Sequence, residues 1–130
     1  MQIYLGDGAF PKGPIGSSSA FEVHNVGEVW AMALFEVRAR FLTRLGFDAG
    51  NQRVLQFVTD GMKLDPTNPT FLQGRDSILA AAMASGTAAD RADIWAGFAA
   101  RGMGFSARVT NAGTGAVVEA FDLPGITTAG

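Results

Sequence analysis

The chain has 130 residues, a formal net charge of −2, 48% apolar and 17% charged residues, and no cysteine. That length and apolar content fit one domain with a core of its own and exclude both a disordered chain and a disulfide-stapled scaffold. The ten Lys and Arg are scattered, so the basic face of a nucleic-acid binder is missing, and the longest apolar stretch, Val29 to Phe35, is far short of the roughly 20 residues that span a bilayer.

Residues 1–22 are dense in Gly, Pro and Ser, which predicts an irregular lead-in, and they lack the basic and apolar regions of a secretory signal. Next, Val26, Val29, Trp30, Ala33, Leu34, Val37, Phe41 and Leu45 recur at helical spacing, with Asn25 and Glu28 in capping-box positions. This first helix is expected over about Val26 to Leu45, closed by Gly46. Between Val29 and Val37 it is apolar on nearly every side, the pattern of a central helix that neighbours must cover.

A second helix is expected after an Asn51 cap, with Val54, Leu55, Val58 and Met62 on one stripe and a stop before Asp65-Pro66. Asn68-Pro69 offers a cap followed by a proline at the first helical position, and Phe71, Leu72, Ile78, Leu79, Ala82 and Met83 carry a third helix to Gly86. Thr87 and Asp90 cap a fourth helix, with Ile94, Trp95 and Phe98 buried, which ends at Gly102. Beyond it, 107–110 and 116–121 can pair as a short hairpin across 111–115 in an otherwise loose tail. The fold class is therefore all-α: one domain over 1–130, with a lead-in (1–22), a core bundle of four main helices (23–105) and a tail (106–130).

Chemistry has few places to stand in this sequence. Without cysteine there is no thiol nucleophile, no serine sits in a Gly-x-Ser-x-Gly elbow, and Gly102-x-Gly104 follows a helix rather than a strand, as helix stops do. Glu22, Glu28 and Glu36 supply carboxylates for acid–base work, yet Glu28 also reads as a cap and Glu36 as an i+4 partner for Arg40. His24 is the only histidine. With Glu28 it has the spacing of two metal ligands on one helix face, but a closed zinc site takes about three or four, so read alone His24 is a structural group.

Val23-His24-x-x-Gly27-Glu28-Val29-Trp30-Ala31, then Phe35-Glu36-Val37, Gly50-Asn51 and Asp60-Gly61-Met62-Lys63-Leu64-x-Pro66-x-Asn68-Pro69-Thr70-Phe71 form a series of uncommon words. Arg75-Asp76-x-Ile78-Leu79 and Ile94-Trp95-x-x-Phe98-Ala99-x-Arg101-Gly102-x-Gly104 continue it. In order and spacing this series resembles the C-terminal helical region of the fungalysin family of secreted zinc metallopeptidases, which are similar to the thermolysin-like group. The resemblance covers 22–105 and extends to Phe121-Asp122-Leu123-Pro124.

The resemblance implies a helical half that forms one wall of an active-site cleft and an extracellular location. It also implies a polypeptide substrate and a partner in the zinc-bearing catalytic domain of the same protein. The family's His-Glu-x-x-His, whose Glu activates a zinc-bound water, does not occur here, so zinc is implied for the full-length enzyme and none for this chain. His24 matches the family's transition-state histidine, a hydrogen-bond donor to the tetrahedral oxyanion. Ser19 stands where thermolysin-like enzymes carry the acid that orients this ring, which leaves Glu22 or another group for that task. A cysteine pair of the fungal members falls at Thr67 and Ala92 and is absent. Arg75, Asp76, Trp95 and Arg101, prominent in the resemblance, read as ties within the bundle. The rival reading is a non-catalytic helical binding module or a degenerate relative of the family.

Overall fold

The computed structural model describes residues 23–113 and 116–125. The lead-in expected over 1–22, with Ser19 and Glu22, lies outside the described residues, as does the end of the tail. Four helices follow one another among the described residues: α1 (Val23–Leu45), α2 (Phe47–Leu64), α3 (Phe71–Ser85) and α4 (Ala88–Ala100). Strands β1 (Arg108–Asn111) and β2 (Ala116–Val118) close the order. Each helix packs on its neighbour in sequence, and α4 returns against α1 to complete the bundle.

Three helix starts differ from expectation, each for a local reason. Helix α1 already includes Val23, so His24 and Asn25 belong to its first turn; Asn25 is buried there rather than capping. Gly46 adopts φ +85°, a left-handed conformation that only glycine takes without strain, so the chain reverses at one residue. The Gly46 amide donates to the Leu42 carbonyl at 2.9 Å and its own carbonyl accepts from the Gly50 amide at 2.9 Å. Helix α2 thus begins at Phe47, and Asn51 sits inside it, accepting from Arg38 Nε at 2.8 Å across the α1–α2 contact.

Helix α3 is capped by Thr70, not by Asn68. The Thr70 hydroxyl accepts from the Gln73 amide at 3.2 Å while the Gln73 side chain accepts from the Thr70 amide at 2.9 Å. Two end groups are satisfied at once, whereas Asn68 takes φ 52° in the preceding turn, a conformation asparagine tolerates. The reciprocal cap of Thr87 and Asp90 on α4 forms as its spacing predicts.

The core is built from Val37 and Phe41 of α1, Val54 and Phe57 of α2, Ile78 of α3, and Ile94 and Phe98 of α4, all buried. Trp30 reaches from α1 across the bundle, stacked on Phe71 at 5.9 Å and tilted against Phe98 at 5.5 Å. Leu55 and Met62, on the expected stripe of α2, are 56% and 61% exposed, and Met83 of α3 is 68% exposed. On α2, Val54 of the expected stripe is buried, in line with Phe57 and Gly61. Helical spacing fixes which residues share a stripe but not which stripe meets the core.

Two crossings leave no room for a side chain. A Cβ on Gly97 would stand 2.5 Å from Val37 Cγ2 and 2.6 Å from Val37 Cα, and one on Gly61 2.9 Å from Ile78 Cα. These contacts set the α1–α4 and α2–α3 separations.

The tail is more ordered than a loose end. Strand β1 pairs antiparallel with β2 in the register Arg108↔Val118 and Val109↔Val117, with an irregularity before Asn111↔Ala116. The chain then folds back on the end of α4: the Gly104 amide donates to the Ala120 carbonyl at 2.7 Å and the Phe105 amide to the Asp122 carbonyl at 2.9 Å. The Ser106 amide is held by the Asp122 carboxylate at 2.9 Å.

Gly97→Ala tests the tight crossing. Alanine gains about 1 kcal/mol of helix propensity, yet overpacking costs about 1–3 kcal/mol, and backbone as well as side chain must yield here. A net loss of about 1–2 kcal/mol in urea unfolding is expected.

Candidate functional site

Helix α1 presents His24 from its first turn, and the imidazole position is exposed to solvent. Successive helical residues are about 100° apart, so His24, Glu28, Ala31 and Phe35 share one face while Val26 points to the other. That geometry separates two concavities. An apolar cavity of about 270 Å³, walled by Val26, Phe71, Met103, Val109 and Val117, lies on the side away from His24. A groove of about 290 Å³ between α1 and α2, walled by Ala31, Leu34, Phe35, Val54, Leu55 and Val58, lies on the His24 side.

The candidate carboxylates do not converge. Glu28 is exposed one turn beyond His24, and Glu36 lies about 12 Å farther along the axis. Glu36 accepts from Arg101 Nη2 at 2.9 Å, tying α1 to the end of α4, in place of the expected Arg40. Glu22 lies outside the described residues. Among the described residues no three His, Cys, Asp or Glu side chains gather into a possible metal site. The described part of this chain therefore does not fit a metal by itself.

The remaining residues singled out from sequence hold the bundle. Arg75, buried on α3, donates from Nη1 to the carbonyls of Met103 at 2.9 Å and Gly104 at 2.7 Å and from Nε to Asp76 at 2.9 Å. Its guanidinium lies 4.8 Å over the Trp95 ring, whose other contact is the edge of Phe105 at 5.8 Å. Arg75 thus fixes the turn that leaves α4, and with it the return of the tail.

The strongest electrostatic cluster lies at the opposite end of α1 from His24. Asp90 is 1% exposed and takes Arg44 Nη2 at 2.6 Å on one oxygen, with Arg53 Nη2 at 2.7 Å and the Thr87 amide at 2.8 Å on the other. Arg44 Nε also reaches Asp93 at 2.6 Å. Burial by itself would push the Asp90 carboxyl up, but the donors from Arg53, Thr87 and Arg44 outweigh it and hold the group far below the usual carboxylate range. Arg44 is raised by its hydrogen bonds to Asp93 and Asp90. Neither Arg44 nor Arg53 carries a local sequence signal, since their partners lie 37 to 49 residues away.

No helix among the described residues is long and apolar enough to cross a membrane. Comparison with known proteins puts the sequence in a family of metallopeptidases. The fungalysin metallopeptidase (M36) family matches it over residues 14–107, and the chain belongs to that family. It is 38% identical over 116 residues to the extracellular metalloproteinase mep of Aspergillus terreus, an alignment covering 79% of this chain and 18% of that protein. To the extracellular metalloproteinase mep of Aspergillus niger it is 35% identical over 112 residues, covering 74% and 18%; to the extracellular metalloproteinase 1 of Trichophyton equinum, 37% over 100 residues, covering 67% and 16%. The chain thus spans less than a fifth of the length of these relatives.

Asp90→Ala removes a helix cap, worth about 1 kcal/mol, and charge-assisted hydrogen bonds, worth about 1.5–3 kcal/mol. A loss of about 3 kcal/mol is expected, somewhat less where water reaches the two half-exposed arginines. Because the folded carboxyl is depressed, its contribution is complete above the unfolded value of about 4 and is lost as pH falls below it. Unfolding midpoints measured from pH 7 to pH 2 should therefore fall more steeply for the parent than for Asp90→Ala.

Proposed function

We propose that this chain is the helical part of a secreted zinc endopeptidase, forming one wall of the cleft in which a polypeptide is cut. The family match over 14–107, which spans His24, is the observation that carries this reading. The relatives named as extracellular metalloproteinases support hydrolysis of peptide bonds and an extracellular location. Since no metal-binding group of side chains forms among the described residues, the zinc is assigned to another part of the same protein.

Within that assembly His24 is the residue of this chain that acts on the reaction. As the scissile carbonyl becomes tetrahedral its oxygen gathers negative charge, and a ring N–H held at hydrogen-bond distance stabilises that charge more than it does the neutral carbonyl. His24 is exposed on the first turn of α1. The helix behind it, anchored by Trp30 and the Asp90 cluster, supplies the rigidity that such a donor needs.

In the intact protein, His24→Ala should lower kcat on a peptide substrate by about 10²–10³-fold, the cost of losing one oxyanion donor, with zinc content unchanged. His24→Gln, which keeps an N–H donor, should recover part of the loss. An unchanged kcat would remove His24 from the reaction, and an intact protein that cleaves no peptide at all would leave the helical binding module.

A further inference from the structure

Glycine is the poorest helix former after proline, so a glycine inside a helix calls for a reason. For Gly50, Gly61, Gly74 and Gly97 the reason is a neighbour. A Cβ there would stand 2.6 Å from the Phe41 carbonyl oxygen, 2.8 Å from Ile78 Cγ1, 2.9 Å from the Trp30 ring and 2.5 Å from Val37 Cγ2. Gly27, the remaining helical glycine among the described residues, is exposed, and a Cβ on it would meet nothing within 4 Å. Nor is its backbone left-handed, since the described glycines with positive φ are Gly46 and Gly102. Neither packing nor conformation within the described chain accounts for it.

Gly27 stands beside the candidate site. It lies about 4.5 Å beyond His24 along the axis and about 60° round it, and Glu28 about 6 Å beyond and about 40° to the other side. Because a helical Cα–Cβ bond tilts toward the N-terminus, a side chain at 27 would lean back over the turn that carries His24. Glycine leaves that space open down to the helix backbone. Glu28 borders it, and its exposed carboxylate engages no cation among the described residues, whereas Glu36 is taken by Arg101. We propose that Gly27 and Glu28 form a substrate-recognition element: the notch at Gly27 lets the peptide backbone lie against α1 beside His24, and the Glu28 carboxylate selects a lysine or arginine near the cut bond. An extended peptide advances about 3.3 Å per residue, so the 6 Å or so from His24 to Glu28 spans about two residues. The inference deepens the functional reading above and rests on it.

Peptides alike but for a lysine, glutamine or glutamate, placed in turn at the two positions on either side of the cut bond, report this selection in the intact protein. At one of these positions the parent should cleave the lysine peptide with about tenfold higher kcat/KM than the glutamate peptide. Glu28→Gln should bring the two to within about twofold, and Glu28→Lys should reverse their order. Gly27→Ala, a better helix former with room for its methyl in the described chain, should keep or raise the thermal unfolding midpoint and yet raise KM about tenfold on every peptide. Equal rates on the lysine and glutamate peptides at every position, or an unaltered KM in Gly27→Ala, would overturn the proposal. So would an equal fall in kcat on all peptides with Glu28→Gln, since Glu28 would then hold the His24 ring. A lower unfolding midpoint in Gly27→Ala counts against it too, because the notch would then be filled by another part of the protein. His24→Ala separates the two readings: it should lower kcat on all peptides and keep their order. Unchanged turnover there removes the functional reading, whereas a flat ranking in the parent with turnover still lost in His24→Ala removes this inference alone.

Discussion

The carboxylate of Asp90 is the constraint on which the rest of this bundle hangs. It is out of contact with water, and such a charge persists only if its oxygens are fully engaged. Arg44 comes from the end of α1, Arg53 from α2 and the Thr87 amide from the start of α4. Alternatives that slide one helix along another would strand a buried charge, which costs more than the apolar contacts regained. The cluster thus selects one register for three helices, while the apolar core supplies most of the driving force.

Register matters because the candidate site is at the other end. About 30 Å of α1 separate Arg44 from His24, so a small rotation at one end becomes a large displacement at the other. Midway, Gly97 lets α4 touch the α1 backbone at Val37, and Trp30 wedges against Phe71 and Phe98. Trp30 also comes so close to α3 that a Cβ on Gly74 would meet its ring at 2.9 Å. With the helix pinned at its end, middle and first third, His24 is carried by a rigid element rather than by a loop.

Much of this was legible in the sequence. Four helices, their ends at Leu64, Ser85 and near Gly102, and the Thr87–Asp90 cap follow from spacing and end signals, because local hydrogen bonding decides them. Asn25, Asn51 and Asn68 read as caps and are not, since an asparagine serves equally in a buried turn, a cross-helix bond or a left-handed turn, and only the neighbours decide which. The Arg44–Asp90–Arg53 cluster left no trace, because ion pairs between distant residues have no period. His24 stands out as the only histidine, but nothing in its spacing distinguishes a structural imidazole from one that meets substrate.

The misassigned stripe on α2 teaches more than the correct ones. Leu55, Val58 and Met62, read together with Val54 as one stripe, have core spacing, and so does the buried line of Val54, Phe57 and Gly61 that shares only Val54 with it. Both patterns are apolar because the helix has two apolar sides, and the close approach of Ile78 at Gly61 decides which one faces α3. A helix in an isolated bundle needs only one such side, with polar residues on the other. Helix α1 shows the same excess at Met32 and Phe35, directly across the groove. The charged residues are spread over all four helices, and those drawn inward, Asp90 and Arg75, are the ones whose partners come from other elements of the fold.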